Sequence, residues 1–148
     1  MAHPFHNILS PVQFDGASYA ALDLAKKIAA NNDATVHLLH VVPILPAVGE
    51  SHVTAHVNPR EEAQVSEKLR EVANERLTGI KCHVLTRAAF PPEVATAVLE
   101  TAAEIGADLI VLATHGRTGV ARFFLGSVAE GVVRGASCPV LTVRAESA

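Results

Sequence analysis

Aromatic residues and cysteines are scarce in this 148-residue sequence. It has no tryptophan, one tyrosine and five phenylalanines. Its two cysteines, Cys82 and Cys138, lack the spacing of a metal site, and we expect a reducing compartment in which structural disulfides are rare. We therefore predict two buried thiols, with a redox pair as the less favoured alternative.

Charge clusters and long apolar runs are also missing. The formal net charge is -3 at pH 7, and the lysines and arginines are spread along the chain. This distribution lacks the electrostatic footprint of a nucleic-acid or anionic-membrane partner. No apolar run reaches the roughly 20 residues that cross a bilayer, and residues 1–7 lack the pattern of a signal peptide. We expect a cytoplasmic protein with no nucleic-acid or membrane partner.

Aliphatic residues make up most of the hydrophobic content, which is 49% of the chain. Short apolar segments alternate with segments of helical character. The predicted strands are 7–12, 35–42, 81–86, 108–113 and 140–143. Helices are predicted to start near Asp15, Pro59, Pro92 and Ser127, and residues 44–59 are predicted to form a long loop. This alternation predicts one α/β domain, residues 1–148, with a mostly parallel open sheet and helices on both faces.

A glycine-rich segment follows the fourth predicted strand. It runs from Thr114 to Gly119, and Gly126 and Ser127 stand where the last helix begins. Glycines let a backbone approach a ligand, and a helix amino terminus attracts anions, so the pattern suggests a phosphate cradle. It has neither the ending of a Walker loop nor a dinucleotide fingerprint. On spacing alone, an equal alternative is that the glycines only turn the chain and Ser127 only caps the helix.

Motifs along nearly the whole chain resemble the universal stress protein family. They are ILSPV at 8–12, HV at 40–41, DLIV at 108–111, THGRTG at 114–119, LGSVAE at 125–130 and SCPVLTV at 137–143. The resemblance implies a Rossmann-like sheet of the adenine nucleotide alpha-hydrolase type with strand order 3-2-1-4-5. It also implies a homodimer through the last strand, Val140 to Val143, and a regulatory protein partner that the sequence does not identify.

The ATP-binding branch of that family has the signature Gly, two residues, Gly, nine residues, Gly, then Ser or Thr. Here the signature falls on Ala113, Gly116, Gly126 and Ser127. The resemblance implies ATP or AMP as ligand, with or without Mg²⁺. Its phosphates would lie on the 116–119 turn and the amides of Ser127 and Val128, and its adenosine near Pro11 to Gln13 and the backbone of Val41. The implied nucleotide-binding residues are Pro11, Val12, Gln13, Val41, Ala113, Thr114, His115, Gly116, Arg117, Gly119, Gly126, Ser127 and Val128.

Two positions depart from that branch. Ala113 stands in place of the first glycine, and Gln13 stands where the branch commonly has Asp. Both departures favour an alternative, a nucleotide-free dimeric protein-interaction module of the same family. A third hypothesis is an enzyme, but no acid and base couple is readable, so we expect no dedicated catalysis and at most slow ATP hydrolysis.

The histidines and Arg117 have less specific interpretations. Arg117 is either a bidentate phosphate donor or a solvated loop residue, and His115 is predicted to position the ligand rather than to catalyse. His52 and His56 are four residues apart, but their segment has no stable helical pattern and no third ligand, so no metal site is predicted. His37 and His40 are assigned structural roles on opposite faces of the second strand.

Overall fold

The computed structural model describes residues 4–45, 57–114 and 126–144. In these parts of the chain, strands and helices alternate as the sequence predicts. The order is β1 (Asn7–Pro11), α1 (Gly16–Asn32), β2 (Thr35–Pro43), α2 (Pro59–Arg76), β3 (Lys81–Ala89), a 3-10 turn (Pro91–Glu93), α3 (Val94–Ile105), β4 (Leu109–Ala113), α4 (Ser127–Gly135) and β5 (Val140–Val143).

The five strands form one parallel sheet in the order β3-β2-β1-β4-β5. This confirms the predicted fold class and strand order. From β1 the chain proceeds outward to β2 and β3, and then returns to place β4 on the other side of β1. In register, Ile8 of β1 lies between Val36 of β2 and Leu109 of β4. The direction of winding therefore switches between β1 and β4, where open α/β sheets bind ligands.

Two apolar cores cover the two faces of the sheet. Side chains of successive strand residues point to opposite faces, so Ile8 and Leu9, both fully buried, belong to different cores. Ile8 packs with residues of α1 and α2, such as Leu22 and Leu69. Leu9 packs with residues of α3 and α4, such as Val98 and Val132. Each face is thus covered by a pair of helices, as in other parallel sheets buried on both sides.

Two predicted boundaries are wrong by two residues or more. β3 continues three residues past the predicted end at Thr86, because its pairing with β2 extends to Ala89 opposite Pro43. The helix predicted to open at Pro92 begins instead at Val94, after the 3-10 turn that contains the two prolines. Most of the predicted loop at 44–59, with His52 and His56, lies outside the described residues. None of the helices in the described ranges is both long and apolar enough to span a membrane.

Both cysteines are free, and each is partly exposed rather than buried as predicted. Burial still raises the pKa of each thiol above its ordinary value, with the nearby Asp108 carboxylate adding to the effect at Cys138. Cys82 packs against the α1/α2 core, whereas Cys138 packs against the α3/α4 core. Because the sheet separates them, these two thiols do not form the redox pair that was the less favoured alternative.

Candidate functional site

A cavity of about 290 Å³ opens beyond the carboxyl ends of β1 and β4. Four segments supply its walls: the end of β1 with the loop after it, the start of α1, the end of β4 and the start of α4. These segments meet at the topological switch point, since β1 and β4 are the neighbouring strands at which the winding reverses. We call this space the switch-point cavity.

The fold brings seven of the predicted site residues together around the switch-point cavity, although they come from distant parts of the sequence. They are Pro11, Gln13, Ala113, Thr114, Gly126, Ser127 and Val128. Four other candidates, His115, Gly116, Arg117 and Gly119, lie outside the described residues. The two remaining candidates, Val12 and Val41, do not line the cavity.

Val12 and Val41 pack on the two apolar cores rather than along the cavity. Val12 is only 2% exposed, and its N–H donates to the carbonyl of Leu39 at 2.8 Å. Val41 lies on β2 and packs against the α3/α4 core. Val12 is therefore an interior side chain and Val41 is half-buried, and direct contact with a ligand in the cavity would fall to their neighbours.

The amino end of α4 faces the cavity, and no side chain of the described residues caps it. Its N-cap residue is Gly126, which has no side chain to accept a hydrogen bond. The first helical bond of this turn is donated by Glu130 to the Gly126 carbonyl, at 2.9 Å. The N–H groups of the residues between them, Ser127, Val128 and Ala129, precede that bond and are the orphan donors of a helix start. Ser127 is exposed and adds a hydroxyl to the same wall.

Another wall is the start of α1, which contains residues absent from the predicted site. Asp15 Oδ1 accepts from the N–H of Ser18 at 2.9 Å, and Ser18 Oγ donates to the Asp15 carbonyl at 3.2 Å. The same Oγ accepts from the N–H of Gln13 at 3.1 Å. Asp15 and Ser18 carried a helix-start signal, and both line the cavity because α1 begins directly after β1.

The end of β4 is fixed to β5. The N–H of Thr114 donates to the Val143 carbonyl at 2.9 Å, and its hydroxyl reaches the same oxygen at 3.4 Å. Ala113, the last residue of β4, is half-buried at the floor of the cavity. The two Thr114 bonds thus hold the chain against β5 at the point where β4 ends and the glycine-rich segment begins.

The described lining of the cavity is rich in neutral donors and poor in charge. Asp15 is the single charged side chain among the described residues that line it, and its carboxylate already caps α1. Within the described ranges, no group of three or more histidines, cysteines and carboxylates is arranged to hold a metal ion. Backbone N–H groups and hydroxyls at a helix start suit an anionic ligand such as a phosphate.

Comparisons with known proteins agree on one family. The sequence profile of the universal stress protein family matches residues 4–144. A universal stress protein of Methanocaldococcus jannaschii is 34% identical over 145 residues, which cover 95% of this chain and 82% of the relative.

Two solved structures show the same fold at low sequence identity. A universal stress protein in complex with cAMP has a TM-score of 0.70 at 22% identity, covering 95% of this chain and 97% of the other. A universal stress protein of Archaeoglobus fulgidus in complex with dAMP has a TM-score of 0.63 at 19% identity, covering 96% and 98%. At these identities the likeness establishes the architecture of the sheet and helices.

Proposed function

The chain belongs to the universal stress protein family, and from this premise we propose that it binds an adenine nucleotide, ATP or AMP, in the switch-point cavity and acts as a dimeric regulatory module. One observation carries the proposal: the amino terminus of α4, which no side chain in the described ranges caps, forms a wall of a cavity at the topological switch point. Orphan N–H groups and the helix dipole favour an anion at that place.

The phosphate end of the ligand is assigned to the start of α4. The amides of Ser127 and Val128, together with the Ser127 hydroxyl, are positioned to donate to phosphate oxygens. The turn at 116–119 and Arg117 complete the phosphate site in this proposal and lie outside the described residues. In this proposal Mg²⁺ enters bound to the triphosphate. The described cavity lining offers it one carboxylate, that of Asp15.

The nucleoside end is assigned to the β1 side. Relatives of the same fold were solved with cAMP and dAMP, so an adenine base is the common feature of the ligands that they bind. Gln13 lines the cavity and is exposed, and its amide can both donate to and accept from an adenine edge. A volume of about 290 Å³ lies at the lower end of small-molecule sites, which start near roughly 300 Å³.

The dimer is assigned to β5. This strand pairs with β4 on one side, and no strand of the described chain covers its other edge. Leu141 on β5 is 37% exposed and Val133 on α4 is 44% exposed. Two-fold pairing of β5 with a second copy would satisfy the open edge and cover apolar surface.

A second candidate function is a nucleotide-free dimeric interaction module. It is favoured by Ala113, which adds a methyl group at the cavity floor, and by Gln13, which is neutral at the nucleoside end. Neither residue blocks the cavity in the structure, which remains open with both side chains present. We therefore rank this candidate second.

The decisive experiment starts from freshly purified protein that is denatured, with any released nucleotide identified by chromatography and mass. ATP and AMP are then titrated calorimetrically into the emptied protein, with and without Mg²⁺. Copurified adenine nucleotide or saturable heat is the expected result. No nucleotide and no heat under any condition would leave the nucleotide-free module.

A matched pair of variants locates the ligand. Ser127→Leu places a bulky apolar side chain on the phosphate wall, and we expect it to abolish the heat of ATP binding. Ser66→Leu makes the same change on α2, away from the cavity, and should leave binding unchanged. Equal affinity in both variants would remove the phosphate assignment from α4.

A further inference from the structure

The loop between β1 and α1 contains a strained residue at its centre. Phe14 has φ +56°, in the left-handed region that bulky L-residues rarely adopt. Its neighbours in sequence, Gln13 and Asp15, both line the switch-point cavity, whereas Phe14 packs against the α1/α2 core on the other side. Strained conformations of this kind persist only where the surrounding structure holds them.

Two side chains from other elements hold Phe14 in place. The His40 ring of β2 lies against the Phe14 ring with centroids 4.6 Å apart, and Lys68 Nζ of α2 stands 4.3 Å from the Phe14 ring centroid. We call these three residues the Phe14 clamp. It ties the loop that carries Gln13 and Asp15 to both β2 and α2.

His40 also fixes the backbone two residues before Phe14. Its Nδ1 lies 2.7 Å from the Val12 carbonyl oxygen. A carbonyl can only accept, so Nδ1 carries the proton in this bond. The N–H of Val12 donates to Leu39, so both backbone polar groups of Val12 are bound by β2 residues. Neither His40 nor Phe14 lines the cavity.

We propose that His40 and Phe14 are positioning residues for the nucleotide, holding the Gln13 and Asp15 wall of the switch-point cavity in its binding geometry. This inference rests on the proposed function. The physical argument is preorganisation: a wall that is already ordered loses less entropy when a ligand binds. Without the His40 bond and ring contact, Phe14 is free to leave the left-handed region, and Gln13 and Asp15 move with it.

The test compares two replacements of His40 that differ in one hydrogen bond. Asn Nδ2 stands two bonds from Cβ, as His Nδ1 does, so H40N retains a donor for the Val12 carbonyl. Gln Nε2 stands one bond further out, so H40Q loses that donor. Both variants lose the ring, and the difference between them therefore reports the carbonyl bond. His83→Gln changes an exposed histidine outside the clamp and serves as the control.

ATP affinity is measured by calorimetry, and amide hydrogen exchange of Gln13 and Asp15 is measured without ligand. We expect H40Q to weaken ATP binding about fivefold to tenfold relative to H40N, as loss of one hydrogen bond predicts. Exchange at both amides should be faster in H40Q than in H40N, and H83Q should match the wild type. Equal affinity and equal exchange in H40N and H40Q would overturn the positioning role.

If H40Q does not fold, Phe14→Leu tests the positioning role instead. It preserves an apolar side chain but removes the ring contacts with His40 and Lys68, and it should weaken ATP binding while exchange at Gln13 and Asp15 rises. Wild-type affinity in this variant would overturn the proposal. Absence of ATP binding by the wild type would overturn the proposed function and this inference together, whereas tight wild-type binding with unaffected variants would overturn the inference alone.

Discussion

The amino ends of α1 and α4 both border the switch-point cavity, but they satisfy their backbone N–H groups in different ways. At α1, the Asp15 carboxylate accepts from the N–H of Ser18, and Ser18 Oγ bonds back to the Asp15 carbonyl and the Gln13 N–H. At α4, the N-cap is Gly126, and none of the side chains that the structure describes caps the helix. One helix therefore has its own anion, and the other leaves its positive end open toward the cavity.

The two helix ends are also held by different forces. α1 is anchored at its start by the local hydrogen bonds of Asp15 and Ser18. α4 is held along its length by close packing on α3, where Gly131 faces Ala95 and Gly135 faces Leu99. Because these contacts with α3 keep α4 in place, its amino end does not need a side-chain cap for stability. The start of α1 is therefore fixed by its own side chains, whereas the start of α4 depends on packing elsewhere in the helix.

The difference between the two helix ends should be lost most completely if α4 receives its own anion. Gly126→Asp would imitate Asp15 at the α4 N-cap, and we expect it to lower ATP affinity about a hundredfold or more, because two like charges about 4 Å apart repel strongly near a protein surface. Gly126→Asn offers a cap of the same size without the charge and should have a much smaller effect. Calorimetric titration of both variants measures this difference, and equal losses would show that size rather than charge excludes the ligand.

The packing that holds α4 provides the second test. A Cβ added at Gly131 would stand 2.6 Å from the Ala95 Cβ, so Gly131→Ala forces α4 away from α3. Overpacking outweighs the gain in helix propensity, and we expect a loss of between about 1 and 2 kcal/mol in the free energy of unfolding, with weaker ATP binding as the α4 start shifts. Gly16→Ala at the start of α1 meets nothing within 4 Å and is the control. Urea denaturation checks both, and equal stability would contradict the packing argument.

The third test removes one polar side chain from the start of each helix. Asp15→Ala removes a cap and should lower the free energy of unfolding by about 1 kcal/mol. Ser127→Ala removes a hydroxyl that makes no capping bond, so stability should stay within about 0.5 kcal/mol while ATP affinity falls about fivefold. Urea denaturation and calorimetry on the same two proteins give both values. A loss of stability in Ser127→Ala equal to that in Asp15→Ala would remove the distinction between the ends.

Most of the fold was predictable because its signals are local. Apolar runs such as 35–42 and turn residues such as Gly106 mark strands and helix ends directly, and strict alternation then leaves few topologies. The end of β3 was predicted wrongly because it depends on pairing with another strand and not on a local sequence signal. β3 continues through Arg87 and Ala88 because β2 is there to pair with them, and no apolar pattern marks that extension.

The site was predictable to a smaller extent. Gly126 and Ser127, which line the cavity, were predicted as candidates because a glycine before a helix start is visible in sequence. Asp15 was recognised as a cap but not as cavity lining, since that role depends on β1 and β4 being neighbours. The Phe14 clamp had no sequence signal, because it joins side chains from the β1–α1 loop, β2 and α2. Long-range packing of this kind is fixed by the whole fold.

The smallest expected effect concerns a residue away from both helix ends, on the first half of β2. His37 is buried, its Nε2 lies 3.1 Å from Asn7 Oδ1, and its Nδ1 has no partner among the described residues. Burial, and in second place the charge of neighbouring His83, hold the pKa of His37 below its ordinary value. The unfolded chain therefore binds a proton at this residue more readily than the folded chain does.

The pH dependence follows from that difference. Above the unfolded pKa of about 6.5, His37 is neutral in both states and its contribution to stability is constant. As the pH falls below that value, stability is lost, with a slope of at most about 1.4 kcal/mol per pH unit for one proton, until the folded form is also protonated. His37→Gln keeps a donor for Asn7 and should flatten the dependence measured by urea denaturation at pH 5.5 and 7.5. ATP affinity should keep the same pH profile in both proteins, because His37 does not line the switch-point cavity; a changed profile would mean that the two helix ends and this part of the sheet are coupled.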